Sequence, residues 1–445
     1  MTAPPTTVES PHPAAAVAAT GPAAAGRPLA DMQLSMLAHE TITSRPLYTM
    51  PLCFEITGPV DAAVLEAALH QVVRRHPVLH CSYADGTARP LDPDRPLPDL
   101  GVRILADPAP DAVRAVLDTW WGEPMELATG APVRALLVSS APDRHHLGLA
   151  VHHVAGDSWS LALLLEDLGT AYAALRSGRE PAWPADAPDF FGYAVAERAS
   201  TEDLAWWRER LAGLEPQPHP RRIPPPPAAR GALQALPLHL DAADTRGIRE
   251  LARTARVSPT AVLLAAVGLA VAGPGELTST VGMPVVLRDT RALQATMGPL
   301  LNTLPVRTAW PTGADAPTVV RAHADALEVS LAHKDVPYSR LLRASGIRRT
   351  PGTAPLFLHV VNADNEAPRL RLPGVRCVHR AVTPAWAIFP AQWEFSWQAV
   401  GNIHGVLQTS ADVFSPEQAA DCAARFRTSL SRLLGTAPAE PKDLP

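Results

Sequence analysis

Lysine is almost missing from this chain. Among 39 basic residues in 445, only Lys334 and Lys442 are lysines, and the rest are arginine. A Walker-type phosphate loop needs Gly-Lys-Ser/Thr and a Schiff-base enzyme needs a buried lysine. Lys442 stands in the C-terminal tail and Lys334 between His333 and Asp335, so neither class is favoured. Cysteine is scarce as well: Cys53, Cys81, Cys377 and Cys422 are far apart, with no Cys-x-x-Cys and no Cys/His cluster at zinc spacing. No disulfide framework and no metal site are expected. Long hydrophobic runs are lacking too. The most apolar one, Ala261 to Ala272, includes Gly268 and stops at Gly273-Pro274, well short of the ~20 residues a spanning helix requires. It reads as a buried helix, and no membrane partner is expected. With a net charge of −5 and no Lys/Arg run, nucleic acid is not an expected partner either. Residues 1–26 have neither a basic n-region nor a strong apolar h-region, so they read as a disordered leader on a cytoplasmic protein rather than a secretory signal.

What is present is a globular composition. Hydrophobic residues make up 47%, and the length allows roughly two or three domains. The 48 prolines and 27 glycines stay below the ~25–30% of low-complexity chains, but the prolines gather in two breaks, Glu180 to Pro188 and Glu215 to Pro227. Between the breaks Tyr193 to Leu214 reads as a helix. Before them, Val60 to Val73 repeats apolar residues at three to four with Asp61 as N-cap, Leu147 to Val151 reads as a strand, and Ser158 to Leu175 as a long amphipathic helix. After them the theme returns: strand Ala235 to Leu240, helices Asp244 to Ala255 and Thr260 to Ala272, strand Leu277 to Val286, helix Ala316 to Leu331, strand Leu356 to Asn362, two further strands, and a closing helix Pro416 to Leu434. Two α+β halves of about 200 residues each point to a duplicated architecture.

One segment carries chemistry: Val151-His152-His153-Val154-Ala155-Gly156-Asp157-Ser158-Trp159-Ser160. A strand ends at the histidines, Gly156 permits a tight turn, and Asp157 or Ser158 can cap the helix that follows. A side chain on such a corner is held by rigid backbone while facing open space, where imidazole, with its ordinary pKa nearest neutrality, serves as a base. Asp157 can orient an imidazole or pair with an arginine. No Gly-x-Ser-x-Gly elbow accompanies the pair, and His76-x-x-x-His80 holds Pro77 and lacks the glutamate of a zinc-protease helix, so hydrolase and zinc readings are not favoured.

This segment resembles the His-His-x-x-x-Asp-Gly-x-Ser core of condensation domains of nonribosomal peptide synthesis, related to the chloramphenicol acetyltransferase fold. Leu29-Ala30-Asp31-Met32-Gln33-Leu34-Ser35-Met36-Leu37 resembles their opening Ser-x-Ala-Gln-x-Arg-Leu motif. Arg75-His76-Pro77-Val78-Leu79-His80-Cys81-Ser82-Tyr83 is similar to Arg-His-Glu/Pro-x-Leu-Arg-Thr-x-Phe, and Phe190 to Val195 to Tyr-x-Asp-Tyr-Ala-Val. Met297-Gly298-Pro299-Leu300-Leu301-Asn302-Thr303-Leu304-Pro305-Val306-Arg307 is similar to Gly-x-Phe-Val-Asn-Thr-x-x-x-Arg. His333-Lys334-Asp335-Val336-Pro337-Tyr338 resembles His-Gln-Asp-x-Pro-Phe, and Arg349 to Phe357 keeps Arg349, Pro355, Leu356 and Phe357 of a last motif.

The resemblance implies two chloramphenicol acetyltransferase-like halves, 27–183 carrying the histidines and 184–437, in a pseudo-dimeric V with an active-site tunnel between them and a tail at 438–445. It implies a free-standing condensation enzyme of natural-product biosynthesis. Such an enzyme joins an acyl thioester on a carrier protein's phosphopantetheine arm to an amine or alcohol, with no tightly bound cofactor; the acceptor is a small molecule or a second carrier-bound group. The alternatives are an acyltransferase using acyl-CoA or a polyketide carrier, and a non-catalytic recruitment module of the same fold. His153 is the expected catalytic residue, as general base or as positioner of the nucleophile, with His152 beside it. Asp157 is expected to pair with Arg75, and Gly156 and Ser158 to support the site, Ser158 standing where the motif has glycine. His80 replaces the second arginine of its motif, so a salt bridge there is expected to weaken. Asn302, Thr303 and Trp397 are expected to line the tunnel.

Overall fold

Short polar residues placed one position before the helix set most helix starts, and eight of them among the described residues accept a backbone N–H as caps. The structure, a computed structural model, describes residues 26–92, 98–105, 110–183, 187–196, 200–221, 223–226, 229–273, 275–348, 350–363, 368–397 and 401–436. The expected leader apart from Gly26, the tail at 438–445, the boundary at Pro184, and Arg349 lie outside the described residues.

The chain opens with β1 (Arg27–Pro28), α1 (Asp31–Thr43), β2 (Thr49–Thr57) and α2 (Ala62–Arg75). Then come β3 (Cys81–Ala84), β4 (Thr87–Pro90), β5 (Leu100–Ile104), α3 (Pro110–Gly122), the hairpin β6 (Val133–Ala141) and β7 (Arg144–His152), and α4 (Ser158–Arg176). Asp61 caps α2 through Val64 N–H at 3.1 Å, and the face Leu65, Ala68, Leu69, Val72, Val73 that its period marks is buried. Next are α5 (Phe190–Ala196), α6 (Thr201–Arg210), β8 (Gln217–Pro218), β9 (Leu233–Leu238), α7 (Ala242–Ala255) and α8 (Pro259–Val271). The run that was too short to span a bilayer is α8, apolar all round and buried as a core helix. No single helix among the described residues is long and apolar enough to cross a membrane. The chain continues through β10 (Thr278–Val286), α9 (Arg291–Ala295), β11 (Leu301–Ala309), α10 (Ala316–Leu331), α11 (Tyr338–Ala344), β12 (Thr353–Ala354), β13 (His359–Ala363) and β14 (Arg376–Arg380). It closes with β15 (Ala391–Trp397), β16 (Ile403–Ser410) and α12 (Pro416–Leu433).

Two large sheets result, ordered β14-β2-β7-β6-β5 and β11-β10-β13-β15-β16-β9. They share a pattern. In the first, β2 pairs antiparallel with β7, β7 with β6, and β6 parallel with β5. In the second, β9 pairs antiparallel with β16, β16 with β15, and β15 parallel with β13. A long helix follows the hairpin each time, α4 and α12. The duplication expected from element order therefore exists at the level of strand pairing. The two sheets do not divide cleanly at residue 184, because β14 lies far beyond that point yet pairs with β2, and Leu287, Met297 and Leu300 join the core beneath the first sheet.

Candidate active site

β7 delivers His152 at its last position, residues 153–155 make one tight helical turn, and α4 starts at Ser158 with Asp157 as its N-cap. The three motif side chains therefore stand on one corner, but they are used differently. His152 is 2% exposed and both of its ring nitrogens are bonded: Nδ1 accepts Val154 N–H at 3.0 Å, and Nε2 lies 3.0 Å from Glu40 Oε2. Glu40 Oε1 accepts Tyr48 N–H at 2.8 Å, and the Tyr48 carbonyl accepts His153 N–H at 2.8 Å. Gln33, fully buried on the same face of α1, donates to the Val154 carbonyl at 2.7 Å.

His153 is the exception. Its Nδ1 is shielded and without a hydrogen-bond partner among the described residues, the residue as a whole is half-buried, and the Tyr48 ring stands edge-on at 6.3 Å between centroids. Burial pushes its pKa below the ordinary imidazole value, while the Asp157 carboxylate and nearby backbone pull the other way. The imidazole is thus neutral at pH 7, the form that takes up a proton.

Asp157 is 4% exposed and saturated with donors. Ser160 N–H and Arg288 Nη2 reach Oδ1 at 2.8 Å each, while Leu300 N–H at 3.1 Å and Arg288 Nη2 at 3.0 Å reach Oδ2. Arg288 Nη1 also donates to the Leu293 and Thr296 carbonyls at 2.7 and 2.6 Å, and Nη2 to the Gly298 carbonyl at 3.0 Å. Ser160 Oγ lies 2.8 Å from Asp157 Oδ1 and accepts Gly298 N–H at 3.1 Å. Both glycines are sterically required here. A Cβ on Gly156 would sit 2.7 Å from Ser160 Cβ, and Gly298, at φ 156°, abuts the Phe190 ring.

The expected Asp157–Arg75 pair is not formed. Arg75 Nε bonds Asp167 Oδ2 at 2.9 Å, which His76 Nε2 also reaches at 2.7 Å, and its guanidinium lies 4.6 Å over the Trp183 ring. Asp167 is ten residues along α4 from Asp157, about 15 Å at helical rise, so α2 presents Arg75 to a different turn of the helix. The true partner, Arg288, comes from the segment after β10 and carried no signal in an arginine-rich sequence. His80 sits near Arg74, and that charge, after burial, lowers its pKa. Lys334 is committed to Asp289 at 2.5 Å.

Asn302, expected at the tunnel, is buried and turned to backbone. Its Nδ2 donates to the Lys334 and Val336 carbonyls at 2.8 and 2.6 Å, and its Oδ1 accepts Thr303 and Tyr338 N–H at 2.9 and 3.1 Å, so all its capacity binds backbone. Thr303 is the next, buried residue of β11. Trp397 ends β15, two strands from β10, with Arg249 of α7 5.3 Å over its ring, in the rim of the second core rather than at the histidines. Ser158 is exposed, and Trp159 beside it donates to the Gln294 carbonyl at 2.9 Å. A recess of about 510 Å³ at the far end of β11, lined by Trp206, Arg210, Arg307 and Thr308, lies away from this corner. Among the described residues no group of three or more His, Cys, Asp or Glu is placed to hold a metal.

The condensation-domain family model matches residues 25–383. A dimodular nonribosomal peptide synthase of Bacillus subtilis (strain 168) is 32% identical over 431 residues, which cover 89% of this chain but 17% of that protein, so the chain spans about a sixth of it. Among solved structures, the X-domain in its complex with OxyB from teicoplanin biosynthesis superposes with a TM-score of 0.80 at 22% identity, covering 92% of this chain and 93% of that one. The SgcC5 protein from Streptomyces globisporus, complexed with (R)-(-)-1-(2-naphthyl)-1,2-ethanediol and sucrose, gives 0.73 at 24%, covering 88% and 94%. The two superpositions establish the fold.

Proposed function

We propose a function from one premise: this chain belongs to the condensation-domain family. The chain is a condensation enzyme of natural-product biosynthesis that transfers an acyl group from a carrier-protein phosphopantetheine thioester to an amine or alcohol. The two sheets with their helices act as two halves, the first ending near residue 183, and the reaction takes place between them at the histidine corner. The nitrogen or oxygen of the acceptor attacks the thioester carbonyl carbon, a C–N or C–O bond forms, the C–S bond breaks, and the thiol leaves. His153 takes the acceptor's proton and returns it to the departing sulfur. The observation that carries this reading is the contrast at the corner: His152 and Asp157 spend their polar atoms on the fold, while the His153 ring is held toward its neutral form and its Nδ1 has no hydrogen-bond partner among the described residues. The SgcC5 protein, complexed with an aryl ethanediol, supports an alcohol among the acceptors.

The test is to incubate the full chain with acyl-loaded carrier and candidate amines and alcohols, following the carrier by intact mass. Unloading with ester or amide product is expected, and transfer from acyl-CoA alone would replace the carrier reading by a soluble-donor one. His153→Ala is expected to lose at least about 10²-fold in rate while staying folded. Because the neutral ring is the working form and burial lowers its pKa, the rate should hold through neutrality and fall only in acid below the ordinary imidazole range. A near-normal rate in His153→Ala would remove this residue from the chemistry. The high TM-score to the X-domain, whose solved complex is with OxyB, supports a second reading as a recruitment module, which the absence of transfer with any donor would favour.

A further inference from the structure

We propose that Glu40 is a positioning residue for His153, a role that rests on the proposed chemistry of that ring. Val154 N–H is a donor, so the His152 Nδ1 that faces it at 3.0 Å carries no proton. The ring proton then lies on Nε2, which donates to Glu40 Oε2 at 3.0 Å. The second oxygen of the same carboxylate holds Tyr48 N–H, and Tyr48 holds the backbone of His153. Glu40 thus closes a ring of four hydrogen bonds that grips the turn on both sides: through His152 at Val154, and through Tyr48 at His153 itself. Gln33, seven residues earlier and therefore on the same face of α1, grips the Val154 carbonyl. The side chain of Glu40 is 17% exposed and that of His152 is 2%, so water competes poorly for these bonds.

Two acceptor oxygens facing two donors are essential to the arrangement. A carboxamide in the same place has one acceptor. With its NH2 toward His152 Nε2–H, the imidazole is driven to move its proton to Nδ1, against Val154 N–H; with its NH2 toward Tyr48 N–H, the bond that fixes the backbone carrying His153 is lost. The side chain that fixes the tautomer of His152 is therefore the one that fixes the backbone carrying His153.

The experiment uses the full chain labelled with 15N-histidine, with the His152 ring signals identified by their loss in His152→Asn. The wild-type spectrum is expected to show His152 protonated at Nε2 and bare at Nδ1, and Glu40→Gln to lose that pattern in the population whose NH2 faces His152. With the acyl-loaded carrier and acceptor that give product in the mass assay, Glu40→Gln is expected to lower kcat by about 10- to 10²-fold with KM nearly unchanged and thermal midpoint close to wild type. Glu40→Asp, which keeps two acceptors on a shorter arm, should recover part of both the spectrum and the rate. A proton on Nδ1 of wild-type His152, or full kcat in Glu40→Gln, would overturn the proposal, as would a Glu40→Gln loss traced wholly to unfolding with no recovery in Glu40→Asp. If His153→Ala turns over normally while the spectra behave as expected, the chemistry assigned to His153 fails and the fixing of the turn by Glu40 stands.

Discussion

At the scale of single residues, the conspicuous aspartate of the histidine motif belongs to the fold. Asp157 and Arg288 are both almost wholly buried and meet no solvent that could stand in for a lost partner. Removing one member of such a pair leaves an uncompensated charge, typically about 3–5 kcal/mol. Arg288→Met is therefore expected to lower the urea unfolding free energy by about that amount, whereas Arg75→Met, in a less deeply buried pair whose side chains are 12% and 14% exposed, should cost less and leave the mass-assay rate near wild type. Equal losses of stability and rate in the two variants would contradict the pairing. The histidine corner was legible because its parts are contiguous: strand end, glycine and cap lie within a few residues. Arg288 was not, since it meets Asp157 across 131 positions and no local pattern distinguishes it from any other arginine. Arg75 was assigned by likeness, and sequence alone does not say which turn of α4 a guanidinium on α2 will face. Glu40 and Tyr48 escaped notice for the same reason as Arg288, being local to α1 and its exit rather than to the motif.

Among the elements, those with caps and a clear period were read well. The predicted helix at Ala316 to Leu331 is α10, and the predicted Pro416 to Leu434 differs from α12 by one residue. What failed were strands that owe their state to a distant partner. β3 and β4, a short hairpin, and β14, an edge strand pairing across the molecule, have no alternation strong enough to declare them, and β11 was seen only as a motif. The junction between the turn and α4 gives an element-level expectation. In Gly156→Ala the new methyl meets Ser160 Cβ, an atom fixed to helical backbone, so the first turn of α4 must shift. Overpacking of this kind costs roughly 1–3 kcal/mol, and the carrier-unloading rate should fall with it. Gly192→Ala in α5, where the added carbon meets nothing within 4 Å, serves as the comparison and should be neutral or slightly stabilising by denaturant midpoint.

For the whole molecule, the second core contains two histidines that fold without their charge. Burial lowers the pKa of His323 to about 4 and that of His359 to about 3. The unfolded chain binds protons at these rings below about 6.5 and the folded chain does not, so stability is full above that pH and is lost as pH falls. Each ring contributes up to about 1.4 kcal/mol per pH unit until its folded pKa is reached. The urea midpoint should therefore drop steadily from pH 6.5 to 4.5, and a flat midpoint over that interval would show that the rings are not held neutral. The duplicated strand order was visible in outline from the alternation of elements. The exchange of segments between the two sheets was not, because pairing partners separated by hundreds of residues leave no trace in local pattern.

β14 gives that exchange a temporal meaning. The first sheet has four of its strands by His152, yet the flank of β2 stays bare until Arg376–Arg380 arrives, about 220 residues later. At translation rates of about 5–20 residues per second the nascent sheet waits on the order of 10–40 s with an open edge. For the first part of that interval the histidine corner also lacks Arg288 and the Leu300 amide, which are made about 140 residues after His152, so the turn cannot set until well after its own residues are made.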